Sequence, residues 1–206
     1  MEQFYKISGI ISVLLLTIAL LVSIIKYNSL TKNEKWYMYY IIFIFLIELN
    51  SYVILPLLNI KSNAFLYPVY IAGEFFTITG IFIKKLNFNK FYFLITGLLS
   101  LSFLFVDKIF IQYNNDYSKA ISNIIIISLI GYSLIQDIKN VKAKSPFQLI
   151  DKMYFLYFTV SIFIFMLQHQ LIEFPYEYFS AIWVINNLMV CILYSLFIKT
   201  FLQLKK

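Results

Sequence analysis

The chain has 206 residues, of which 61% are hydrophobic and only 13% charged, against roughly 45–50% and about 25% in soluble proteins. So few charges cannot cover so much apolar surface, which excludes a water-soluble fold and makes a lipid bilayer the expected surroundings. The formal charge of +7 comes from 17 lysines with no arginine; they are scattered between apolar stretches and form no continuous basic face, so direct nucleic-acid binding is not expected. One cysteine, Cys191, excludes an intramolecular disulfide and a cysteine-based metal site.

The apolar run Ile7–Ile25 follows the short polar start Met1–Lys6. Its 19 residues are too many for a signal-peptide core, and no small-residue cleavage site follows, so it reads as a first membrane helix. A hydrocarbon core about 30 Å thick takes roughly 17–25 helical residues to cross. Seven stretches qualify, at about 7–25, 36–58, 65–83, 91–107, 117–136, 152–169 and 178–199. The fourth and sixth have short strictly apolar cores, which tilt and interfacial aromatics can absorb. The longest connection, Asp137–Asp151, has about 15 residues, too few for a soluble domain. The expectation is an all-α, seven-helix polytopic membrane protein forming one domain over 1–206.

Lysine placement fixes the expected orientation. With seven spans, 13 of the 17 lysines fall on the side of the C-terminus, and only Lys6, Lys61, Lys108 and Lys119 fall opposite. The positive-inside rule then puts the N-terminus outside and the C-terminus in the cytoplasm, a multi-pass protein of the bacterial inner membrane. Aromatics mark the interfaces: Tyr27, Trp36, Tyr37, Tyr39 and Tyr40 inside, Tyr67, Tyr113, Tyr117, Tyr176 and Tyr178 outside. Pro68 opens the third span and Pro56 lies near the outer end of the second, so no proline interrupts a span centre. Only five glycines are present, and discontinuous helices of the kind used by many transporters are not indicated.

The second and third spans each carry one glutamate, Glu48 and Glu74, each 13 positions from Lys61. Two helices would place them at similar depth, facing each other. No lysine falls near a span centre, so neither is expected to have a cationic partner. Two adjacent carboxylates in low dielectric cannot both stay ionised, and at least one is expected to be protonated at neutral pH. Tyr70, Gly73, Glu74, Thr77 and Gly80 share one face of the third span, with glycines that admit a close neighbour. Glu48, Ser51 and Tyr52 share a face of the second, and Ser180, Trp183, Asn187, Cys191 and Tyr194 one of the seventh. Asn123 in the fifth span is a further candidate. The expected site is a cavity opening outward, floored by the two glutamates and walled by Tyr70, Trp183 and Asn187. The competing reading is polar glue between helices, worth on the order of 1 kcal/mol per group.

His169, in Gln168-His169-Gln170 at the outer end of the sixth span, reads as an interfacial polar cap or as an outer pH or ligand sensor. Glu173 and Glu177 nearby are too little for a metal site, and no cofactor is expected. There is no HExxH, no phosphate-binding glycine loop and no nucleophile elbow, so a conventional enzyme is not expected. Asn186 and Asn187 stand where a retinal-binding pigment needs a lysine.

The segments Phe65-Leu66-Tyr67, Tyr70 and Glu74-Phe75 in the third span, with Ile182-Trp183 and Asn186-Asn187 in the last, resemble short, mostly uncharacterised seven-helix membrane proteins of AT-rich bacterial genomes. In length and hydropathy the chain is also similar to the membrane accessory proteins of type VI-B CRISPR systems. That resemblance implies a membrane accessory or pore-forming role in anti-phage defence, acting as a homo-oligomer. The residues themselves lead to two other readings. One is a non-enzymatic receptor-like or regulatory protein that passes a signal to a cytoplasmic or membrane protein partner. The other is a small-solute or proton-coupled transporter.

Overall fold

The computed structural model describes residues 2–60, 62–106, 115–139, 145–172 and 175–204. They form seven helices: α1 (Glu2–Ile25), α2 (Lys35–Leu57), α3 (Leu66–Lys85), α4 (Phe91–Phe103), α5 (Asn115–Lys139), α6 (Gln148–Ile172) and α7 (Tyr176–Gln203). No strand occurs among the described residues. Six of the helices are long and apolar enough to cross a membrane; α4, with 13 residues, is shorter. The expected fourth span ran to 107, but the helix ends at Phe103, and residues from 107 to 114 lie outside those described.

Although α4 is short, side-chain pairs show how it runs relative to its neighbours. Glu74, near the middle of α3, pairs with Lys119 in the first turns of α5, and Lys85 and Asp137, at the ends of the same two helices, form another ion pair. Those two helices therefore run parallel, and the chain between them must return across the bundle. The return is α4, antiparallel to α3: Phe93 lies beside Lys84, whereas Ser100 donates to the Ala72 carbonyl at 2.8 Å and Phe103 packs edge-on against Phe75. Helices α1 and α7 are likewise parallel, since Asn187 donates to Ser8 and Lys26 to the Leu204 carbonyl. An odd number of alternating helices demands this.

The centre of the bundle is α3, where Ile71, Phe75, Ile78, Ile81, Phe82 and Ile83 are all buried. Helices α1, α5 and α7 instead expose apolar faces such as Ile10, Leu14 and Leu21, Ile124 and Ile135, and Ile185, Leu188 and Ile192. On a soluble protein such surface would be an aggregation hazard; it suits contact with acyl chains. Below mid-depth, Phe147, Tyr154, Phe158, Phe197 and Phe201 pack into a fully buried aromatic layer.

Gly73 and Gly80 admit a close neighbour, as their spacing predicts. The neighbour is a pair of aromatic rings: Phe43 and Trp36 of α2 lie directly on the α3 backbone where a Cβ would stand. Gly73→Ala and Gly80→Ala are each expected to destabilise by about 1–3 kcal/mol through overpacking. Thermal unfolding in detergent micelles measures it, with Gly97→Ala as control, because a Cβ there meets only ordinary contact with Phe76 at 3.8 Å.

Two interfacial assignments change. Tyr37 and Tyr40, expected at the membrane surface, are buried at 4% and 3% exposure. Tyr37 stacks on Phe147 and donates to a buried carboxylate, and Tyr40 packs on Tyr154 and Phe197. The first turn of α2 thus faces the bundle, while Tyr39, Tyr117 and Tyr178 are exposed.

Candidate functional site

In the half of the bundle holding the α2–α3 and α6–α7 links, α1, α2, α3, α6 and α7 enclose a cavity of about 620 Å³. That is within the usual range for small-molecule sites, roughly 300–1,000 Å³. On α1 the lining runs from Tyr5 to Leu16 and on α7 from Trp183 to Tyr194, so it extends ~16 Å along each, about half the hydrocarbon thickness. Its floor is Leu16, Tyr40 and Tyr194, beneath which the aromatic layer is packed.

Five of the residues singled out from sequence meet here: Glu48, Tyr52, Tyr70, Trp183 and Asn187 all line the cavity. The face Glu48, Ser51 and Tyr52 is presented by an unusual turn. After Leu49, α2 widens into a π-helical stretch, Asn50–Ile54, before Leu55–Leu57 closes it. Pro56 is the cause, because it has no N–H to donate and its ring crowds the carbonyl four residues earlier; a wider turn relieves both. Asn50 donates to the Leu46 carbonyl and Asn63 of the α2–α3 link to the Ser51 hydroxyl, which tie this turn down.

Glu74 is not part of the floor, and the expected pair of facing glutamates does not form. Phe43 opposite Gly73 and Trp36 opposite Gly80 set the register of α2 on α3. In that register Glu48 stands about six residues, some 9 Å, nearer the α2–α3 link than Glu74. Equal spacing from Lys61 does not give equal depth, because α2 contains the wide turn, which advances less per residue than an α-helix.

The expectation that neither glutamate has a cationic partner is also overturned. Lys119 pairs with Glu74, both essentially without exposure. Its long side chain carries the charge inward from the start of α5. Tyr70 completes the group: its hydroxyl donates to Glu74 at 2.8 Å and accepts from Lys119 at 3.3 Å. The Lys119 ammonium also lies 4.5 Å from the Tyr70 ring centroid and 5.8 Å from those of Phe158 and Phe165. A carboxylate and three rings therefore hold one ammonium. Glu48 is different. It is half-buried, and no hydrogen bond or ion pair to it occurs among the described residues.

The other candidates lie elsewhere. Thr77 turns back on its own helix, donating to the Gly73 carbonyl, and does not reach the cavity. Asn123 is buried between α5 and α6 and donates to Ser161 at 3.0 Å, while its Oδ1 has no partner. Of the α7 face, Trp183, Asn187 and Tyr194 line the cavity, whereas Ser180 is buried against its own helix and Cys191 points its thiol at the Ser8 carbonyl. The side chain of His169 lies outside the described residues.

Sequence reasoning missed Lys119 and Tyr157. A signal for Lys119 was present: it lies on the stripe of Ser122, Asn123, Ile126, Ile130 and Ser133 that α5 buries. A second polar cluster was missed altogether. Lys85 pairs with Asp137 and Asp151, each at 2.7 Å, and Tyr37 donates to Asp151 at 2.6 Å, which joins α2, α3, α5 and α6 at the end opposite the cavity.

The molecule is thus an all-α bundle of seven helices, six of them long and apolar enough to cross a membrane, with a cavity set into one half. Compared with known proteins, it matches no family model, no curated protein and no solved structure.

Proposed function

We propose that this chain is a non-enzymatic, receptor-like or regulatory protein of the bacterial inner membrane, which binds a small ligand in the cavity of Glu48. One observation carries the reading: the cavity has polar walls and ends on a packed aromatic floor at mid-depth. A dead-ended site suits binding better than passage. The ligand's effect would leave through Tyr70, which lines the cavity and bonds to both members of the Glu74–Lys119 pair. From there α3 and α5 run to the Lys85–Asp137 pair at the far end, where a cytoplasmic or membrane protein partner would read the change.

Lysine placement makes the cavity end the outer one; a reporter fused after Lys206 is expected to be cytoplasmic, and an external one reverses the orientation. Native mass spectrometry from lipid nanodiscs tests the binding itself. A small molecule is expected to accompany the wild type and to be lost from Val13→Trp, whose indole would fill the cavity. Retention by that variant would sink the proposal. Accumulation of a labelled solute in proteoliposomes, abolished by Glu48→Gln, would make the protein a transporter instead.

A further inference from the structure

We infer that the cavity ligand is an organic cation, an amine or quaternary ammonium whose charged head sits against Glu48 while its apolar body lies along the α1 and α7 walls. The inference rests on the proposed binding function and specifies its chemistry. Among the described residues, Glu48 is the only Asp, Glu, Lys or His lining the cavity. An anionic ligand would meet its repulsion, and no lysine among the described lining residues offsets it. A neutral ligand would do nothing to offset the desolvation of a half-buried carboxylate, whereas a cation would hold it ionised.

The rings around Glu48 point the same way. Tyr52, Tyr157, Trp183 and Tyr194 line the same cavity as Glu48. Aromatic faces carry the negative part of the ring quadrupole and attract cations, most strongly where water is excluded. The protein already binds one ammonium by this means. Lys119 is held by Glu74 with Tyr70, Phe158 and Phe165 around it. The Glu48 wall repeats the combination of carboxylate and rings without a lysine of its own, and it opens on a volume sized for a separate molecule.

Three probes of nearly one shape distinguish the charges: phenethylamine, 2-phenylethanol and 3-phenylpropanoate. Binding of radiolabelled phenethylamine to the full chain in nanodiscs is expected to saturate, with 2-phenylethanol competing at least tenfold more weakly and 3-phenylpropanoate not at all. Glu48→Gln is expected to weaken phenethylamine at least tenfold and leave 2-phenylethanol unchanged. If the alcohol or the carboxylate competes as well as the amine, the cation assignment fails while the cavity reading stands. An unchanged amine affinity in Glu48→Gln has the same consequence. If no probe binds, or if Val13→Trp leaves binding intact, the cavity reading and this inference fall together. The wild-type ranking decides the matter by itself should Glu48→Gln not fold.

Discussion

Glu74→Gln is expected to lower the stability of the folded bundle by about 3–5 kcal/mol, the usual cost of leaving one member of a buried ion pair without its partner. Lys119 has no exposed surface, so its charge cannot escape to water without disturbing the start of α5. Lys119→Met is expected to cost a similar amount, because it leaves Glu74 buried with only the Tyr70 hydroxyl. The double variant Glu74→Gln, Lys119→Met removes both charges and is expected to recover much of the loss. Unfolding of the four proteins in mixed micelles with increasing denaturing detergent gives the cycle directly. Additive single losses would mean that the two side chains do not interact. Tyr70→Phe is expected to cost less, about 1.5–3 kcal/mol, since it removes a hydrogen bond to a charged group but keeps the pair.

The second large effect is expected at the opposite end. Lys85 alone answers two carboxylates, Asp151 with no exposed side-chain surface and Asp137 with 24%. Lys85→Met is therefore expected to destabilise by about 2–4 kcal/mol, below the fully buried case because Lys85 itself retains 20% exposure. Asp137→Asn is expected to cost only about 0–1 kcal/mol, as a partly solvated pair does. Asp151→Asn lies between them, because the Tyr37 hydroxyl, now 2.6 Å from Oδ1, can still donate to an amide oxygen. Equal losses for the two aspartate variants would show that burial does not set the strength of this cluster.

The seven helices were readable because apolar length at the scale of a bilayer marks each of them, even α4, which is too short to count among the six that could cross. Half of the cavity was readable for a related reason. Glu48, Tyr52, Tyr70, Trp183 and Asn187 are polar or amphipathic groups at helical spacing within apolar stretches, and such residues turn inward. What could not be read was pairing across helices. The depth assigned to Glu48 and Glu74 assumed straight helices, and the wide turn before Pro56 broke that assumption. Lys119 was assigned to the outer rim by its position near a span end, although a lysine side chain reaches about 6 Å and its neighbours one turn on are buried. Asp137 and Asp151 bounded what reads as a loop, and nothing local to either indicates that Lys85 stands between them.

The parallel course of α3 and α5 bears on how the protein is made. Because α5 emerges later, α3 must enter the bilayer with Glu74 lacking its counter-ion, and it is also the least apolar of the first three long helices, at a mean hydropathy of 1.5. Its retention during synthesis therefore depends on α2, whose Trp36 and Phe43 can already clasp the glycine face before Lys119 arrives. A nascent chain halted after α4 would hold an unsatisfied acid at its centre, which is the kind of lesion that membrane quality-control proteases act upon.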